Sequence, residues 1–194
     1  MAIAWFWLGS PYTSTLNSLD LPPDTRPVAP QRAIAIRWLI FIALALLVFT
    51  LDQASKAAVT ATLAVGDSWA PLPALASIFE ITHSTNSGAA FSIFQGNNTP
   101  LLLLSLAMIV GIVVIFIQTA QSRLLQTIAL AILLGGVMGN ALDRLRLGMV
   151  VDFIHWQLPN VISNVSNVAD HAIVLSVVLL FIASQRSPKG DPAI

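Results

Sequence analysis

Cysteine is absent from the 194-residue chain. Disulfide bonds, thiolate catalysis and cysteine-ligated metal sites are therefore excluded. Charge is also scarce, since only 9% of the residues are charged and the formal net charge is zero. A chain without excess positive charge has no electrostatic basis for binding nucleic acid, so we expect no nucleic-acid partner.

Apolar residues make up 56% of the chain, and its mean hydropathy is +0.82. This composition indicates an integral membrane protein, in which each helical span needs about 20 mainly apolar residues. Four stretches are close to that length, at about residues 37–60, 100–119, 124–143 and 167–185. They predict a mainly α membrane protein with four transmembrane helices, in a membrane domain that covers residues 35–186.

Two flanking segments are predicted to lie outside this domain. Residues 1–34 contain several prolines among Ser, Thr and Asn, which is typical of a flexible extension. The first residues include no basic region, so a cleaved signal peptide is not expected. Residues 187–194 are interpreted as a short C-terminal tail.

A small extramembrane β element is predicted between the first two spans. Residues 77–84 are rich in β-type side chains and Asn86-Ser87-Gly88 is a turn signal, after which residues 89–94 are apolar again. Four spans place both termini on one side, and the excess of Lys and Arg there predicts that this side is cytoplasmic. The β element and the polar helix ends beside it would then lie at the outer face.

Polar residues gather at the ends of the first and third spans. Asp52 and Lys56 share a helix face, and this spacing fits either a snorkelling ion pair at the membrane edge or the polar wall of a cavity. Asn140, Asp143 and Arg144 close the third span, where Arg144 could bind a carboxylate through two hydrogen bonds. For Asp143 and Arg144 we favour the structural interpretation, a salt-bridged helix end.

Two further aspartates lie near the fourth span. Asp152 is in the apolar run 150–154, which has the length of a strand and offers no evident local partner, so burial should raise its pKa. Asp170 follows Asn167 by three residues, the pattern of a helix N-cap with an acid at N3. Capping alone could explain Asp170. Two carboxylates in different surroundings also suit general acid–base catalysis, in which one activates water and the other, protonated, polarises a carbonyl group.

Five short motifs follow one another along residues 35 to 185. They read Asp52-Gln53-x-x-Lys56, Asn86-x-Gly88-Ala89-Ala90-Phe91, Gly139-Asn140-x-x-Asp143-Arg144, Val151-Asp152-Phe153 and Asn167-x-Ala169-Asp170. This series resembles that of the bacterial lipoprotein signal peptidases (signal peptidase II). The resemblance implies an aspartic endopeptidase of the bacterial inner membrane, without cofactor or metal, that cleaves prolipoproteins just before a diacylglyceryl-modified cysteine.

Site residues can be carried over from this family motif by motif. Asp152 and Asp170 would be the catalytic pair. The residues that would line or support the site are Asp52, Lys56, Asn86, Gly88, Asn140, Asp143, Arg144, Asn167 and Ala169. The partners would be lipid-modified prolipoproteins and membrane lipids, and a complete pair in one chain makes a monomer sufficient. The family's β-cradle and short interfacial helix would correspond to parts of 63–99 and 145–165.

Two positions depart from the family pattern. Ser166 stands where an aromatic residue usually precedes the Asn of the last motif, and His171 stands where a small residue commonly follows the second aspartate. Neither change removes a catalytic group. Both could alter the packing of the pocket or its response to pH.

Other functions fit these residues less well than the peptidase does. A metalloprotease could in principle ligate zinc through Asp152, His155, Asp170 and His171. However, the sequence contains no H-E-x-x-H helix motif, and His155 should lie on the opposite strand face from Asp152. A serine–lysine peptidase that uses Ser55 and Lys56 is not favoured, because adjacent residues on a helix cannot face each other. A presenilin-type G-x-G-D motif is absent, and Gly66-Asp67 fits a loop turn. His83 is expected at the surface. A small transporter or channel subunit that uses the outward-facing acids for ion or proton passage is the non-enzymatic alternative.

Overall fold

The computed structural model describes residues 31–88, 97–118, 123–158 and 162–185. Four helices in these ranges are α1 (Gln31–Thr62), α2 (Asn98–Gln118), α3 (Leu124–Leu147) and α4 (Val168–Gln185). Each is long and apolar enough to cross a membrane. Together with a small antiparallel sheet they confirm the predicted fold class. Most of the predicted N-terminal extension, the apolar segment 89–94 and the C-terminal tail lie outside the described residues.

The central helix of the bundle is α3, which packs against each of the other three. Gly135 faces α1, where an added Cβ would come within 2.5 Å of the Ala45 carbonyl oxygen. Gly136 faces α4, where an added Cβ would come within 2.7 Å of the Ala169 carbonyl oxygen. These two glycines therefore allow the backbones of α1 and α4 to approach α3 closely.

The two ends of the bundle differ in chemistry. At the end formed by the start of α1 and the finish of α2, Phe41 and Phe116 stack with ring centroids 3.9 Å apart, and Trp38 packs edge-on against Phe116. Both Phe side chains are buried in an apolar core shared with α3. The opposite end carries the sheet and the polar residues. The outward sides of α1, α2 and α4 expose large apolar side chains, as contact with lipid requires.

The sheet combines two separate parts of the chain. Its order is β1 (Ser68–Trp69), β2 (Phe79–Asn86), β3 (Val150–Leu158) and β4 (Ile162–Ser166), with every neighbouring pair antiparallel. The sequence predicted β structure in the first loop and a strand at 150–154, and both are present. In the described part of 145–165, the chain after α3 bends at Gly148 and Met149 and is β-sheet from Val150 onward, so the short interfacial helix does not lie there.

Strand register and chain turns bring distant residues to one place. Asn86 pairs with Val150, and Ser84 pairs with Asp152. On the other side of β3, pairing with β4 begins only at Ile154. Because β4 ends at Ser166 and α4 begins two residues later, the chain between them passes beside Asp152. This turn delivers Asn167 and Asp170 to the end of β3.

The expectation that His83 lies at the surface is wrong. Its side chain is only 7% exposed, and its Nδ1 lies 2.8 Å from the Leu63 carbonyl oxygen. The register of β2 shifts between Ile81 and Ser84, and His83 lies within this irregular stretch. Its backbone also binds the turn after α1, accepting from the N–H of Gly66 and donating to the carbonyl of Asp67. His83 thus ties the end of α1 to the sheet.

Candidate active site

A cluster of polar side chains is buried where the bundle meets the sheet. All eleven residues that the sequence assigned to the site belong to one hydrogen-bonded network there. The polar side chains among these eleven that are less than a tenth exposed are those of Asp52, Lys56, Asn140, Asp143, Asp152 and Asn167. They come from α1, α3, β3 and the turn before α4, so the network exists only in the folded chain.

Lys56 is the positive centre of this network. Its ammonium group lies 2.8 Å from Asp52 Oδ2, 2.8 Å from Asp143 Oδ2 and 3.0 Å from Asn140 Oδ1. The predicted pairing with Asp52 is confirmed, but a snorkelling pair at the membrane edge is ruled out because Lys56 is only 3% exposed. Three acceptors match the three N–H groups of an ammonium ion, so the buried charge is fully paired.

Asp52 and Asp143 connect the helices to the rest of the site. Asp52 Oδ1 accepts the backbone N–H of Ala169 at 2.9 Å, which fixes the start of α4 against α1. Asp143 Oδ2 accepts the backbone N–H of Val151 at 3.2 Å, which fixes the start of β3 against α3. Both acids therefore hold the elements that carry Asp152 and Asp170. The structural role expected of Asp143 agrees with these contacts.

Gln53 is a member of the cluster that sequence reasoning quoted in a motif but did not assign to the site. Its Nε2 donates to Asp143 Oδ1 at 3.0 Å and to Asp52 Oδ2 at 3.1 Å. It lies on α1 next to Asp52, so the motif itself was the available signal. Gly139 is a second such member, because an added Cβ there would collide with the carboxylate of Asp52. Only glycine leaves room for that carboxylate between α1 and α3.

Asn140 links Lys56 to Asp170, and the hydrogen bond from Lys56 fixes the orientation of its amide group. Lys56 can only donate a hydrogen bond, so the Asn140 atom that faces it must be the oxygen. The amide nitrogen of Asn140 then points to Asp170, 2.8 Å from its Oδ1. Its oxygen also accepts from Asn167 Nδ2 at 3.2 Å. Asn140 therefore touches the buried cation, Asp170 and the residue that holds Asp152.

Asn167 and Asp170 form a capping box at the start of α4. Asn167 Oδ1 accepts the backbone N–H of Asp170 at 2.9 Å, and Asp170 Oδ2 accepts the backbone N–H of Asn167 at 3.3 Å. The N-cap and N3 pattern predicted from sequence is confirmed. The same box turns Asn167 Nδ2 toward Asp152, whose Oδ1 it meets at 2.6 Å. Asn167 thus contacts both aspartates of the predicted pair.

Asp152 is only 3% exposed and lies at the centre of the site. Its partners come from far along the chain, with Asn86 Nδ2 at 3.0 Å from Oδ2 in addition to Asn167. Burial, and then the nearby charge of Asp170, raise the pKa of Asp152 to about 6, although both amide hydrogen bonds act in the opposite direction. The raised pKa predicted from the apolar run agrees with this value. It means that the pair of acids keeps a proton well above the ordinary range for Asp.

Arg144 lies close to both aspartates but does not bind a carboxylate directly in the described part of the chain. Its guanidinium nitrogens lie 3.4 Å from the carbonyl oxygens of Asn140 and Gly88, and its charge interacts with Asp170 and Asp152 through space. Asn98 Nδ2 donates to the Arg144 carbonyl oxygen at 2.9 Å and so joins the start of α2 to the site. Sequence reasoning did not identify Asn98, because nothing local links it to residue 144.

The zinc hypothesis has no support in the described residues, which contain no cluster of His, Asp and Glu suited to a metal ion. His155 is held by hydroxyl groups, with Nδ1 at 3.0 Å from Thr82 Oγ1 and Nε2 at 3.1 Å from Ser163 Oγ. His171 Nδ1 lies 2.8 Å from the carbonyl oxygen of Asn167. Neither imidazole is directed to Asp152.

Each aspartate of the pair lines a cavity. Asp152 lines a polar cavity of about 180 Å³, formed with Val165 and the end of β2 as far as Gly88. Asp170 lines a second cavity of about 520 Å³ that continues along α4 between apolar side chains. A polar and a mainly apolar space therefore adjoin the same pair of acids.

Four membrane-length helices hold two neighbouring acids beneath a small sheet, an arrangement that suits a membrane-embedded enzyme. Comparison with known proteins narrows this class. The family profile described as "Signal peptidase (SPase) II" matches residues 44–186. A lipoprotein signal peptidase from Staphylococcus aureus is 32% identical over 155 residues, covering 79% of this chain and 93% of that protein. The protein of the same name from strain JH9 is 32% identical over 142 residues, covering 73% and 85%.

Two solved structures, each described as a bacterial membrane enzyme structure obtained by the in meso method, are also similar. One superposes with a TM-score of 0.71 at 31% identity, covering 79% of this chain and 93% of that one. The other has a TM-score of 0.68 at 31% identity, covering 76% and 94%. The chain therefore belongs to the signal peptidase II family, the membrane-spanning proteases of lipoprotein processing. This membership does not favour the transporter alternative.

Proposed function

We propose that the protein is an aspartic endopeptidase that removes signal peptides from diacylglyceryl-modified prolipoproteins, with Asp152 and Asp170 as its catalytic pair. The observation that carries this proposal is the position of Asn167, which donates to Asp152 Oδ1 at 2.6 Å and caps α4 together with Asp170. Two carboxylates held by one residue, with one proton retained to about pH 6, are the apparatus of general acid–base hydrolysis.

The reaction proceeds in two steps. Ionised Asp170 takes a proton from a water molecule while its oxygen attacks the carbonyl carbon of the scissile peptide bond. Protonated Asp152 donates to the carbonyl oxygen as negative charge develops there. The tetrahedral intermediate then collapses: the C–N bond breaks, Asp170 gives its proton to the leaving amine, and Asp152 recovers the proton from the former carbonyl oxygen. The two new termini leave, and the pair again holds one proton between two carboxylates.

The supporting residues prepare this chemistry without entering it. Lys56, held between Asp52 and Asp143, fixes Asn140, and Asn140 directs an N–H to Asp170 Oδ1. Arg144 supplies positive charge near both acids and so offsets part of the negative charge of the ionised site. A fixed hydrogen-bond network is valuable here because no reorganisation is then required when charge develops.

The location of the site suits a substrate that is anchored in the membrane. The pair of acids lies at the sheet end of four helices whose outward faces are apolar. We propose that this end is the outer face of the bacterial inner membrane and that both termini are cytoplasmic. A lipid-modified precursor could then reach the acids from the bilayer, and one chain would be sufficient for activity.

Cleavage of a lipid-modified prolipoprotein by the purified protein tests this function. Asp152→Asn and Asp170→Asn should each lower kcat by at least about a hundredfold, because general acid–base groups contribute roughly that much. Asp67→Asn is the matched control. This acid is exposed in the turn after α1, where its Oδ2 accepts the N–H of Ala64, so its loss should leave kcat within about twofold.

Three results would contradict the proposal. The first is full activity in either Asp152→Asn or Asp170→Asn while the protein keeps its thermal unfolding midpoint. The second is loss of activity on chelation, which would favour metal chemistry. The third is equal cleavage of the unmodified precursor, which would remove the requirement for the diacylglyceryl group.

A further inference from the structure

The cavity beside Asp170 has a polar end and an apolar end. It measures about 520 Å³ and lies between the last strands of the sheet and the first turns of α4. Its polar end includes Ser166, Asp170 and His171, and its apolar end is formed by Val174, Leu175 and Val178. The three apolar side chains are about half exposed or more, so this end opens on the lipid-facing side of α4. An apolar peptide segment could lie there with its end at Asp170.

The orientation of the His171 ring is fixed by one hydrogen bond. Its Nδ1 lies 2.8 Å from the carbonyl oxygen of Asn167. A carbonyl oxygen can only accept, so Nδ1 carries the hydrogen, and the second ring nitrogen of the neutral ring is an acceptor. Within the described residues Nε2 has no hydrogen-bond partner. The imidazole of His171, which lines the cavity, therefore has one nitrogen bonded to the backbone and a second nitrogen available as an acceptor.

Ser166 contributes to the same wall in a different way. It is the last residue of β4, and its hydroxyl donates to the Ile154 carbonyl oxygen at 3.3 Å. Its hydrogen is therefore in use, while its oxygen lone pairs remain acceptors. The side chain is also small, so it occupies little of the space between β4 and α4. The cavity owes part of its volume to this residue, which lines it together with His171.

We infer that His171 Nε2, in the space that Ser166 leaves open, accepts a hydrogen bond from the substrate residue that precedes the scissile bond. This inference rests on the proposed peptidase function. We assign the apolar end of the cavity to the apolar signal peptide, and this assignment places the residue before the scissile bond beside His171. The donor is an N–H or O–H group, either the backbone amide of that residue or the hydroxyl of a serine or threonine. His171 is thereby a specificity-determining residue.

The inference is tested with two lipid-modified substrates that differ only in having serine or alanine before the scissile bond. Wild-type enzyme is compared with His171→Leu, which removes the acceptor, and with His171→Gln, which restores a side-chain acceptor. His171→Leu should raise KM by about fivefold with little change in kcat, because one hydrogen bond of ordinary strength is lost from binding. His171→Gln should recover most of that loss.

The pattern across the two substrates identifies the donor. A rise in KM confined to the serine substrate assigns the hydroxyl, whereas an equal rise for both assigns the backbone amide. The first turn of α4 should stay helical in both His171→Leu and His171→Gln. Its backbone hydrogen bond from the His171 N–H to the Asn167 carbonyl oxygen, 3.3 Å long, does not involve the imidazole. A thermal unfolding midpoint close to that of the wild type checks this point.

Ser166 offers an independent arm of the experiment. Ser166→Phe fills the cavity and should raise KM for both substrates. The inference is overturned if His171→Leu leaves KM unchanged for both substrates, or if His171→Gln is no better than His171→Leu. If wild-type enzyme cleaves neither substrate, the proposed function fails and this inference fails with it.

Discussion

At the scale of single residues, the site depends on groups whose hydrogen-bonding direction is fixed. Lys56 can only donate, and the backbone N–H of Asp170 can only donate, so these two groups set the orientation of Asn140 and Asn167. Each asparagine then directs an N–H to one aspartate. A buried network of this kind is stable only when every member is satisfied, and loss of one buried charge leaves its partners unpaired.

The pKa of Asp152 leads to an expected pH dependence. If protonated Asp152 polarises the carbonyl, kcat/KM should fall as pH rises through about 6, the pKa of this carboxyl in the folded protein. Asn86 donates to the ionised form and so lowers this pKa. Asn86→Ala should therefore raise it and move the descending limb to higher pH by roughly half to one unit, the equivalent of one hydrogen bond.

Thr85→Ala is the matched control for Asn86→Ala. It alters an exposed neighbour on β2 that lines the same cavity but makes no hydrogen bond to Asp152 in the described chain, so its descending limb should lie at the same pH as that of the wild type. A descending limb that stays in place in Asn86→Ala, or that moves to lower pH, would show that Asp152 is not the group being titrated.

At the scale of structural elements, the glycines of α3 determine how closely the helices pack. Glycine normally weakens a helix by about 1 kcal/mol relative to alanine, so its repeated use needs a compensating reason. The reason here is contact, because Gly135 lies against α1, Gly136 against α4 and Gly139 against the Asp52 carboxylate. A wider separation of these helices would also separate Lys56 from Asn140.

Two substitutions should separate the packing effect from helix propensity. Gly135→Ala places a methyl group within 2.5 Å of the Ala45 carbonyl oxygen, whereas Gly111→Ala meets nothing within 4 Å. Gly135→Ala should lower the free energy of unfolding by about 1–3 kcal/mol through overpacking. Gly111→Ala should leave it unchanged or raise it slightly. Thermal unfolding in detergent measures both, and equal stability of the two variants would contradict this account of α3.

Sequence reasoning was most successful for elements whose signal is local. The four spans, the strand at 150–154 and the capping box of Asn167 and Asp170 all follow from residue type and spacing. It could not identify the partners of Asp152, because Asn86 is 66 positions away and its contact depends on strand register. It also misplaced His83, because a shift of register within β2 gives no recognisable pattern in sequence.

At the scale of the whole molecule, both ends of the described chain lie at the aromatic end of the bundle and the acids lie at the sheet end. Antiparallel helices require this arrangement, and hydrogen bonds at the sheet end join α1 to α4 and α2 to α3. Which end faces outward depends on the distribution of Lys and Arg, a property of sequence rather than of shape.

Labelling of single cysteines checks this orientation directly, because the chain has no cysteine of its own. Ser68→Cys lies on exposed β1 and Ser184→Cys lies at the exposed end of α4. In intact spheroplasts a membrane-impermeant maleimide should label Ser68→Cys and should reach Ser184→Cys only after permeabilisation. The reverse result would place the acids on the cytoplasmic side.

The capping box has a consequence for inhibition. Asp170 holds the first turn of α4 with the same carboxylate that is proposed to act on water, so unwinding of that turn and displacement of the acid are a single event. A compound that binds beneath the first turn of α4 and unwinds it could therefore inhibit the protein without occupying the site where the peptide substrate binds. Resistance to such a compound would arise from stiffening α4 rather than from altering the acids.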